Sequence, residues 1–252
     1  MSLSNNPWFQ VLQPLDKPKA RLFCVPYAGG SATAFATWQN NLPDGIEVVG
    51  IQLPGRGARM AETNLSSLEN IVSELLTAIT PYIDECDYFI YGHSMGARVA
   101  YELTVGLNKQ SAVLPKELFV SGARGPRIPS RKAAIHPLPH DEFIKEIEAL
   151  NGTPKALLEN KDLMELALPI LRADFKVCET WKHEVAQVLD IPLRALGGLD
   201  DPGVQLPDLD AWKECTSGVF KRHVFPGDHF FINPQQDKML ALMGRYMMSA
   251  LG

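Results

Sequence analysis

The sequence predicts an α/β fold in which a mostly parallel central sheet is flanked by helices, and two observations carry this prediction. Short apolar runs rich in β-branched and aromatic residues recur along the chain and mostly end in glycine or proline. They are continuous rather than alternating, as expected of strands buried on both faces of a parallel sheet. Helical periodicities lie between them, and this alternation indicates an open α/β sheet. The predicted strands are residues 21–26, 46–54, 87–92, 117–122, 191–198 and 220–227.

Three helices are predicted between or after these strands. Residues 66–79 carry one apolar stripe, and Ser66 with Glu69 forms a capping-box pattern at its start. Residues 95–107 form a helical pattern that begins directly after a serine, and residues 235–251 form a terminal helix. The stripe of the first helix consists of Leu68, Ile71, Val72, Leu75, Leu76 and Ile79.

The stretch from about 125 to 190 interrupts this alternation. A loop rich in proline and arginine is followed by helical patterns at 141–150, 153–160 and 162–181, and Pro169 is expected to kink or divide the last one. We therefore expect a single domain spanning residues 1–252, with a helical lid insertion at 125–190 over the carboxyl edge of the sheet. Extra helices packed on the core are the alternative.

Composition excludes several classes of function. The net charge of −5 argues against a nucleic-acid-binding protein, which would carry a basic surface. No apolar run approaches membrane-spanning length, and the first 20 residues lack the features of a signal peptide. The 4 cysteines have neither zinc-site nor disulfide-framework spacing. We expect a cytoplasmic protein that binds no metal, nucleic acid or membrane.

The strongest chemical signal is the stretch "GHSMG" at residues 92–96, which places Ser94 between a predicted strand and a predicted helix. A sharp strand-to-helix turn crowds the backbone, and glycine at positions 92 and 96 would relieve that crowding. Such a turn presents a serine hydroxyl at a helix N-terminus, where an oxyanion is favoured. Ser94 is therefore the candidate nucleophile, and an ordinary loop serine is the alternative.

A nucleophilic serine needs a base and an acid, which follow it in the order acid, then histidine, in this type of fold. His229 lies on a glycine turn just after the last predicted strand and is the candidate base, whereas His223 falls inside that strand and His183 inside the insertion. The acid should follow the preceding strand, in "GGLDDPGV". Counting from Gly198 selects Asp201 and counting from Gly197 selects Asp200; we favour Asp201, which precedes Pro202.

The oxyanion of such a reaction needs two backbone N–H donors. One is expected from Met95, the residue after the nucleophile. The other is expected from the glycine-containing loop after the first predicted strand, residues 26–35, where Ala28 is our choice and Tyr27 or Gly29 is the alternative. The same loop lacks the Gly-Lys-Ser/Thr ending of a phosphate-binding loop.

Six stretches that run in order from end to end make the chain resemble a known family. They are "FCVPYAGGSA", "IQLPGRGAR", "YGHSMGARVAYEL", "LPILRADFKVCETW", "GGLDDPGV" and "FPGDHFFI". Together they resemble the type II thioesterases of polyketide and non-ribosomal peptide assembly lines. These are α/β-hydrolases related to the vertebrate medium-chain acyl-carrier-protein thioesterase. The resemblance covers residues 20–250.

The resemblance implies Ser94 as nucleophile, Asp201 as acid and His229 as base, with Met95 and Ala28 as oxyanion donors. It implies hydrolysis of acyl thioesters on the phosphopantetheine arm of acyl or peptidyl carrier proteins, by a monomer that needs no cofactor and mostly removes stalled acyl groups. Arg56 in "LPGRG" is expected to be structural. A carboxylesterase or lipase-like hydrolase of small esters is the alternative function. Trp181, where the family has a smaller aromatic residue, either lines the acyl channel or only packs.

Overall fold

A seven-stranded sheet forms the centre of the computed structural model, which describes residues 3–149, 160–181 and 187–252. The predicted α/β class is confirmed, and all six predicted strands are present with ends shifted by a few residues. The strands are β1 (Phe9–Val11), β2 (Ala20–Val25), β3 (Ile46–Ile51), β4 (Asp87–His93), β5 (Leu118–Ser121), β6 (Leu193–Gly198) and β7 (Phe220–Phe225).

The strand order is β1-β3-β2-β4-β5-β6-β7, in which β1 is antiparallel to β3 and every other pair is parallel. Because β3 lies on one side of β2 and β4 on the other, the strand order reverses between β2 and β4. In open α/β sheets, ligands bind at such a switch point, outside the carboxyl ends of the strands. Val25 at the end of β2 pairs with Gly92 in β4, so the loops that follow these two strands lie side by side.

The described α-helices occur in the predicted places, with one additional short α-helix. In the part of the chain that the structure describes, they are α1 (Leu68–Ile79), α2 (Met95–Lys109), α3 (His140–Ala149), α4 (Lys161–Thr180), α5 (Leu206–Asp210) and α6 (Gln236–Leu251). None of these described helices combines the length and the apolar character that crossing a membrane requires.

Helix α1 begins one residue later than the predicted capping box. Ser67, not Ser66, is the N-cap, because Ser67 has extended backbone angles and its hydroxyl accepts a hydrogen bond of 3.4 Å from the Asn70 N–H. The predicted apolar stripe is confirmed. Its four fully buried members are Leu68, Ile71, Leu75 and Ile79.

A short N-terminal strand was not predicted. The first predicted strand begins at residue 21, yet β1 pairs with β3 at the sheet edge, where Phe9 faces Ile51. The aromatic ring of Phe9 packs edge-on against Phe23 and Tyr82, at 5.7 and 5.6 Å between centroids. The strand has only three residues, so these long-range contacts rather than a local pattern stabilise it.

Alternate residues of the buried strands face two separate hydrophobic clusters. Phe23 and Val25 belong to the cluster that includes α1 and α2, whereas Leu22 and Cys24 belong to the cluster that includes α6. This two-sided burial explains why the strands read as continuous apolar runs.

The region predicted as a lid insertion contains α3 and α4, which share a third, smaller hydrophobic cluster. The predicted helical pattern at 153–160 lies outside the described residues except for Asn160, whose side chain caps α4 by accepting a hydrogen bond from the Leu163 N–H at 3.1 Å. Pro169 does not divide α4, which continues to Thr180. Leu168 and Leu171, buried on either side of the proline, give this part of the helix tertiary contacts that offset the lost backbone hydrogen bond.

Candidate active site

Ser94 lies in the turn between β4 and α2, as the sequence predicts. Its backbone angles, φ 56° and ψ −112°, are ones that non-glycine residues rarely adopt. Such strain costs about 1–3 kcal/mol and persists only where the surroundings hold it in place. Here the Ser94 N–H donates to the Ser121 carbonyl at 2.7 Å, and the Ser94 carbonyl accepts from the Ala97 N–H at 3.1 Å.

Two glycines make this turn sterically possible. A Cβ on Gly92 would lie 2.0 Å from the Gly96 carbonyl oxygen, and a Cβ on Gly96 would lie 2.1 Å from the carbonyl oxygen of Val25. The second contact shows how closely the first turn of α2 packs against the end of β2. As a result, Ser94 and the loop that follows β2 lie at the same point of the sheet edge.

His229 and Asp201 complete a hydrogen-bonded chain that ends on the serine. His229 Nε2 lies 3.0 Å from the Ser94 hydroxyl, and His229 Nδ1 lies 2.7 Å from Asp201 Oδ2. The other oxygen of Asp201 accepts from the N–H groups of Gly203 at 2.8 Å and Val204 at 3.2 Å. Because these bonds fix the carboxylate, the Nδ1–H of His229 is held towards Asp201 and Nε2 is left to accept a proton from Ser94.

The other polar residues considered from the sequence have separate roles. Asp200 is exposed and accepts from the Gly227 N–H at 3.3 Å, whereas His229 Nδ1 pairs with Asp201. Asp228, next to His229 in sequence, accepts from the Phe230 N–H at 2.8 Å and so caps the turn that follows it. His223 pairs with the Tyr246 hydroxyl at 3.0 Å. His183 lies outside the described residues.

The N–H groups expected to bind an oxyanion lie in the two segments that meet at this edge. Met95 is the first residue of α2, and Ala28 lies in the turn after β2 that the Gly30 N–H closes on the Tyr27 carbonyl at 2.9 Å. In the described part of the chain, neither the Met95 nor the Ala28 N–H has an acceptor. The Gly29 N–H, one of the alternatives, instead donates to Asp174 at 2.7 Å.

Behind the imidazole of His229 lies a second histidine, His93, which is fully buried. The two rings are 5.2 Å apart between centroids, and His93 Nδ1 lies 2.9 Å from the Ser121 hydroxyl. Burial, with the neighbouring His229 as a smaller cause, lowers the pKa of His93 well below its ordinary value of 6.5. His93 is therefore a neutral packing partner of His229 at neutral pH.

A buried ion pair beside the loop after β2 was not predicted. Asp174 of α4 is fully buried and pairs with Arg56, which the sequence indicated only as structural. The signal for Asp174 was present, because it lies between Leu171 and Val177 on the apolar face of α4. A carboxylate on such a face requires a buried cationic or hydrogen-bonding partner, but the sequence does not show which one.

Trp181 packs at the end of α4. Its indole N–H donates to Glu102 at 3.1 Å, and the Arg98 guanidinium lies 5.3 Å from its ring centroid, so it is attached to α2. These contacts favour the packing interpretation over an acyl-channel role. Within the described residues, no group of three or more histidine, cysteine or acidic side chains could hold a metal ion. The expectation that no cofactor is needed stays a prediction.

Residues 20–245 of the chain match the protein family described as "Thioesterase domain". The fold and this match define an acyl-thioester hydrolase of the α/β-hydrolase type. The chain belongs to the thioesterase domain family, and its predicted resemblance to type II thioesterases is confirmed by the following relatives.

Two curated relatives span most of the chain. The gramicidin S biosynthesis protein GrsT of Aneurinibacillus migulanus is 42% identical over 238 residues, which cover 94% of this chain and 93% of GrsT. The medium-chain S-acyl fatty acid synthase thioesterase of Rattus norvegicus is 32% identical and covers 84% of this chain and 81% of its own.

Two solved structures share the fold. RedJ, the thioesterase from the prodiginine biosynthetic pathway of Streptomyces coelicolor, superposes with a TM-score of 0.84 at 36% identity and covers 92% of this chain and 89% of RedJ. YbtT, the type II thioesterase from the yersiniabactin NRPS/PKS pathway, has a TM-score of 0.87 at 29% identity, with 97% and 100% coverage.

Proposed function

We propose that this thioesterase hydrolyses acyl groups held as thioesters on the phosphopantetheine arm of acyl or peptidyl carrier proteins, and that it serves a polyketide or non-ribosomal peptide assembly line as an editing enzyme. The observation that carries the proposal is the hydrogen-bonded chain from Ser94 through His229 to Asp201 at the sheet's switch point. Relatives named for gramicidin S, prodiginine and yersiniabactin biosynthesis support the choice of substrate.

In the acylation step, the Ser94 hydroxyl attacks the thioester carbonyl while His229 Nε2 takes its proton. Asp201 stabilises the imidazolium that forms. The N–H groups of Met95 and Ala28 donate to the tetrahedral oxyanion, and losing one such donor typically costs about 2.7–4 kcal/mol of transition-state stabilisation. The carbon–sulfur bond then breaks, and His229 returns the proton to the departing pantetheine thiolate.

In the deacylation step, water replaces the thiol. His229 takes a proton from that water as its oxygen attacks the acyl-serine ester, and it returns the proton to Ser94 when the ester bond breaks. The products are the free carboxylic acid and the regenerated enzyme. No redox step or metal ion is required by this chemistry, and we propose a cytoplasmic monomer whose partners are the carrier proteins and whose lid is formed by the insertion at 125–190.

The decisive substrate test compares a panel of acyl groups on carrier protein with the same acyl groups on a small thiol, using wild-type protein. We expect kcat/KM to be higher for the carrier-bound form of the preferred acyl group. Equal values for the two forms, with efficient cleavage of oxygen esters, would favour the small-ester hydrolase instead.

The catalytic assignment is tested by Ser94→Ala. Turnover of the acyl-carrier substrate should fall about 10⁴-fold or more, because the acyl-enzyme can no longer form. A fluorophosphonate probe should label the wild-type protein and leave this variant unlabelled, while the circular dichroism spectrum stays unchanged. Near-wild-type hydrolysis in Ser94→Ala would refute the assignment.

A further inference from the structure

Asp174 joins helix α4 of the insertion to the loop that follows β2. Its carboxylate is fully buried and accepts three hydrogen bonds. Oδ2 accepts from the Gly29 N–H at 2.7 Å and from Arg56 Nη1 at 2.5 Å, and Oδ1 accepts from Arg56 Nη2 at 2.8 Å. One carboxylate thus bonds both a guanidinium and the backbone of the loop after β2.

Arg56 also contacts the loop that follows β2. Its Nη1 also lies 3.4 Å from the Gly30 carbonyl oxygen, and its own carbonyl accepts from Gln52 Nε2 at 2.8 Å. Gln52 in turn accepts from the Ala32 N–H at 3.2 Å through its Oε1. The backbone from residue 29 to residue 32 is therefore tied to a buried polar network, and Asp174 is the member that belongs to the insertion.

The turn held in this way contains Ala28. Gly29 has a positive φ of 76°, and the Gly30 N–H closes the turn on the Tyr27 carbonyl. A turn with glycine at a positive φ can rearrange by rotating one peptide unit, since glycine adopts either sign of φ. The bond from the Gly29 N–H to Asp174 opposes that rotation, and it leaves the Ala28 N–H as the neighbouring donor that has no acceptor among the described residues.

A second contact from α4 covers the same turn. Leu171 lies one helical turn before Asp174 and packs so closely on Gly29 that a Cβ there would be 2.7 Å from Leu171 Cδ2. Leu171 also belongs to the hydrophobic cluster shared by α3 and α4. The position of the turn therefore depends on α4 being packed in place.

We propose that Asp174 is a positioning residue for catalysis, and that α4 completes the oxyanion site by fixing the turn that carries the Ala28 N–H. This inference rests on the proposed oxyanion role of Ala28. Among the described residues, Asp174 forms no hydrogen bond with Ser94 or His229; it acts through the Gly29 N–H and through Arg56. Hydrolysis is consequently efficient only when the insertion is packed against the loop after β2.

The test replaces the ion pair without leaving a buried charge. Arg56→Met combined with Asp174→Leu removes both charges and the acceptor of the Gly29 N–H, and apolar replacement of a buried pair is often tolerated by the fold. The matched control is Arg194→Met combined with Glu117→Leu, since that pair is also buried; Arg194 lies in β6 and Glu117 directly precedes β5. Arg56→Leu combined with Asp174→Val, which fills less volume and also leaves neither charge nor acceptor, serves as a second variant if the first fails to fold.

Three quantities are measured for each variant: kcat and KM for acyl-carrier substrate, and the Ki of an alkyl trifluoromethyl ketone that adds to Ser94. We expect kcat of the Asp174 variants to fall about 10²- to 10³-fold, the range for one lost oxyanion donor, with KM changed less than about threefold. The Ki of the ketone, which forms a tetrahedral oxyanion on Ser94, should rise by a similar factor. The control pair should keep wild-type kcat and Ki.

A wild-type kcat in the Asp174 variants would overturn the inference. An equal loss in the control pair would also overturn it, because that result indicates a general loss of structure. A loss of kcat without weaker ketone binding would overturn it as well, because the oxyanion site would then be intact. Ser94→Ala separates this inference from the proposed function. Retained turnover in Ser94→Ala would refute the function itself, whereas lost turnover there with full turnover in the Asp174 variants would refute only the positioning role.

Discussion

At the scale of single residues, Asp201 and Asp200 are neighbours in sequence with different surroundings. Asp201→Asn should lower kcat about 10⁴-fold, because the asparagine amide would donate to His229 Nδ1 and force the proton onto Nε2. Asp200→Asn is the control and should change kcat less than about twofold, since the Asp200 side chain is exposed and accepts a 3.3 Å hydrogen bond from the Gly227 N–H rather than from His229. Steady-state kinetics on acyl-carrier substrate measures kcat of both variants. A larger loss of kcat in Asp200→Asn than in Asp201→Asn would transfer the acid role to Asp200.

The sequence predicted the order and types of these side chains but only part of their geometry. The choice between Asp200 and Asp201 remained open because Gly197 and Gly198 are adjacent and either can start the count. In the fold, the N–H groups of Gly203 and Val204 bind the Asp201 carboxylate and orient it towards the histidine. The direction in which these N–H groups point depends on the backbone conformation of the loop, which residue spacing alone does not determine.

His93 gives a prediction about pH and stability. Because its pKa in the folded protein lies well below 6.5, the unfolded chain binds a proton here before the folded protein does as pH falls. The free energy of unfolding should therefore decrease below about pH 6.5, with this group contributing up to about 1.4 kcal/mol per pH unit. Above that pH both states are neutral and the group contributes no pH dependence.

Urea denaturation of wild type and of His93→Asn at pH 7.5 and pH 5.5 measures this effect. The variant should lose less stability over that interval than wild type, whatever its stability at pH 7.5. His140→Gln is the control, because His140 is half exposed at the surface of α3. Identical pH dependence in wild type and His93→Asn would contradict the prediction.

At the scale of elements, long runs with a clear period were predictable and short elements were not. The buried strands were identified by their continuous apolar runs, and α1, α2 and α6 by apolar residues at helical spacing. Strand β1 has three residues and exists through pairing with β3 and aromatic packing on Phe23 and Tyr82. The contact between Asp174 and Arg56 joins positions 118 apart in sequence, so no local pattern could identify the pair.

Helix α2 allows a test of the packing at the serine turn. Gly96→Ala places a methyl group 2.1 Å from the Val25 carbonyl oxygen, which is backbone and cannot move independently. We expect a loss of about 1–3 kcal/mol in the free energy of unfolding, as for other overpacked sites, and a lower kcat. Gly106→Ala on the same helix meets only the end of the Leu76 side chain and gains helix propensity, so it should stay within about 1 kcal/mol of wild type.

Chemical denaturation and acyl-carrier hydrolysis are measured for both glycine variants. Equal stability of Gly96→Ala and Gly106→Ala would show that the β2 end and the start of α2 are less tightly packed than their separation implies.

At the scale of the whole molecule, the sheet and the insertion have separate hydrophobic clusters. The sheet is covered on both faces by large clusters, and the cluster of the insertion has six buried members among the residues that the structure describes. Helix α3 buries only Phe143 and Ile147. The recorded polar contacts of α4 with the rest of the fold include Asp174 with Arg56 and the Gly29 N–H, and Arg98 with the Cys178 carbonyl.

This division predicts two levels of protection in native-state hydrogen exchange. Local opening is easiest where few apolar contacts must be broken, so the amides of α3 should exchange through a sub-global opening. The amides of β4 and the buried face of α2 should exchange only through global unfolding. Exchange followed by mass spectrometry at several low urea concentrations measures this, because exchange of the α3 amides should depend less on urea than exchange of the β4 amides. The Arg56→Met/Asp174→Leu variant should lower the opening free energy of α4 more than that of β4. Equal protection of α3 and β4 at every urea concentration would show instead that the insertion and the sheet unfold as one unit, which would argue against a lid that moves independently.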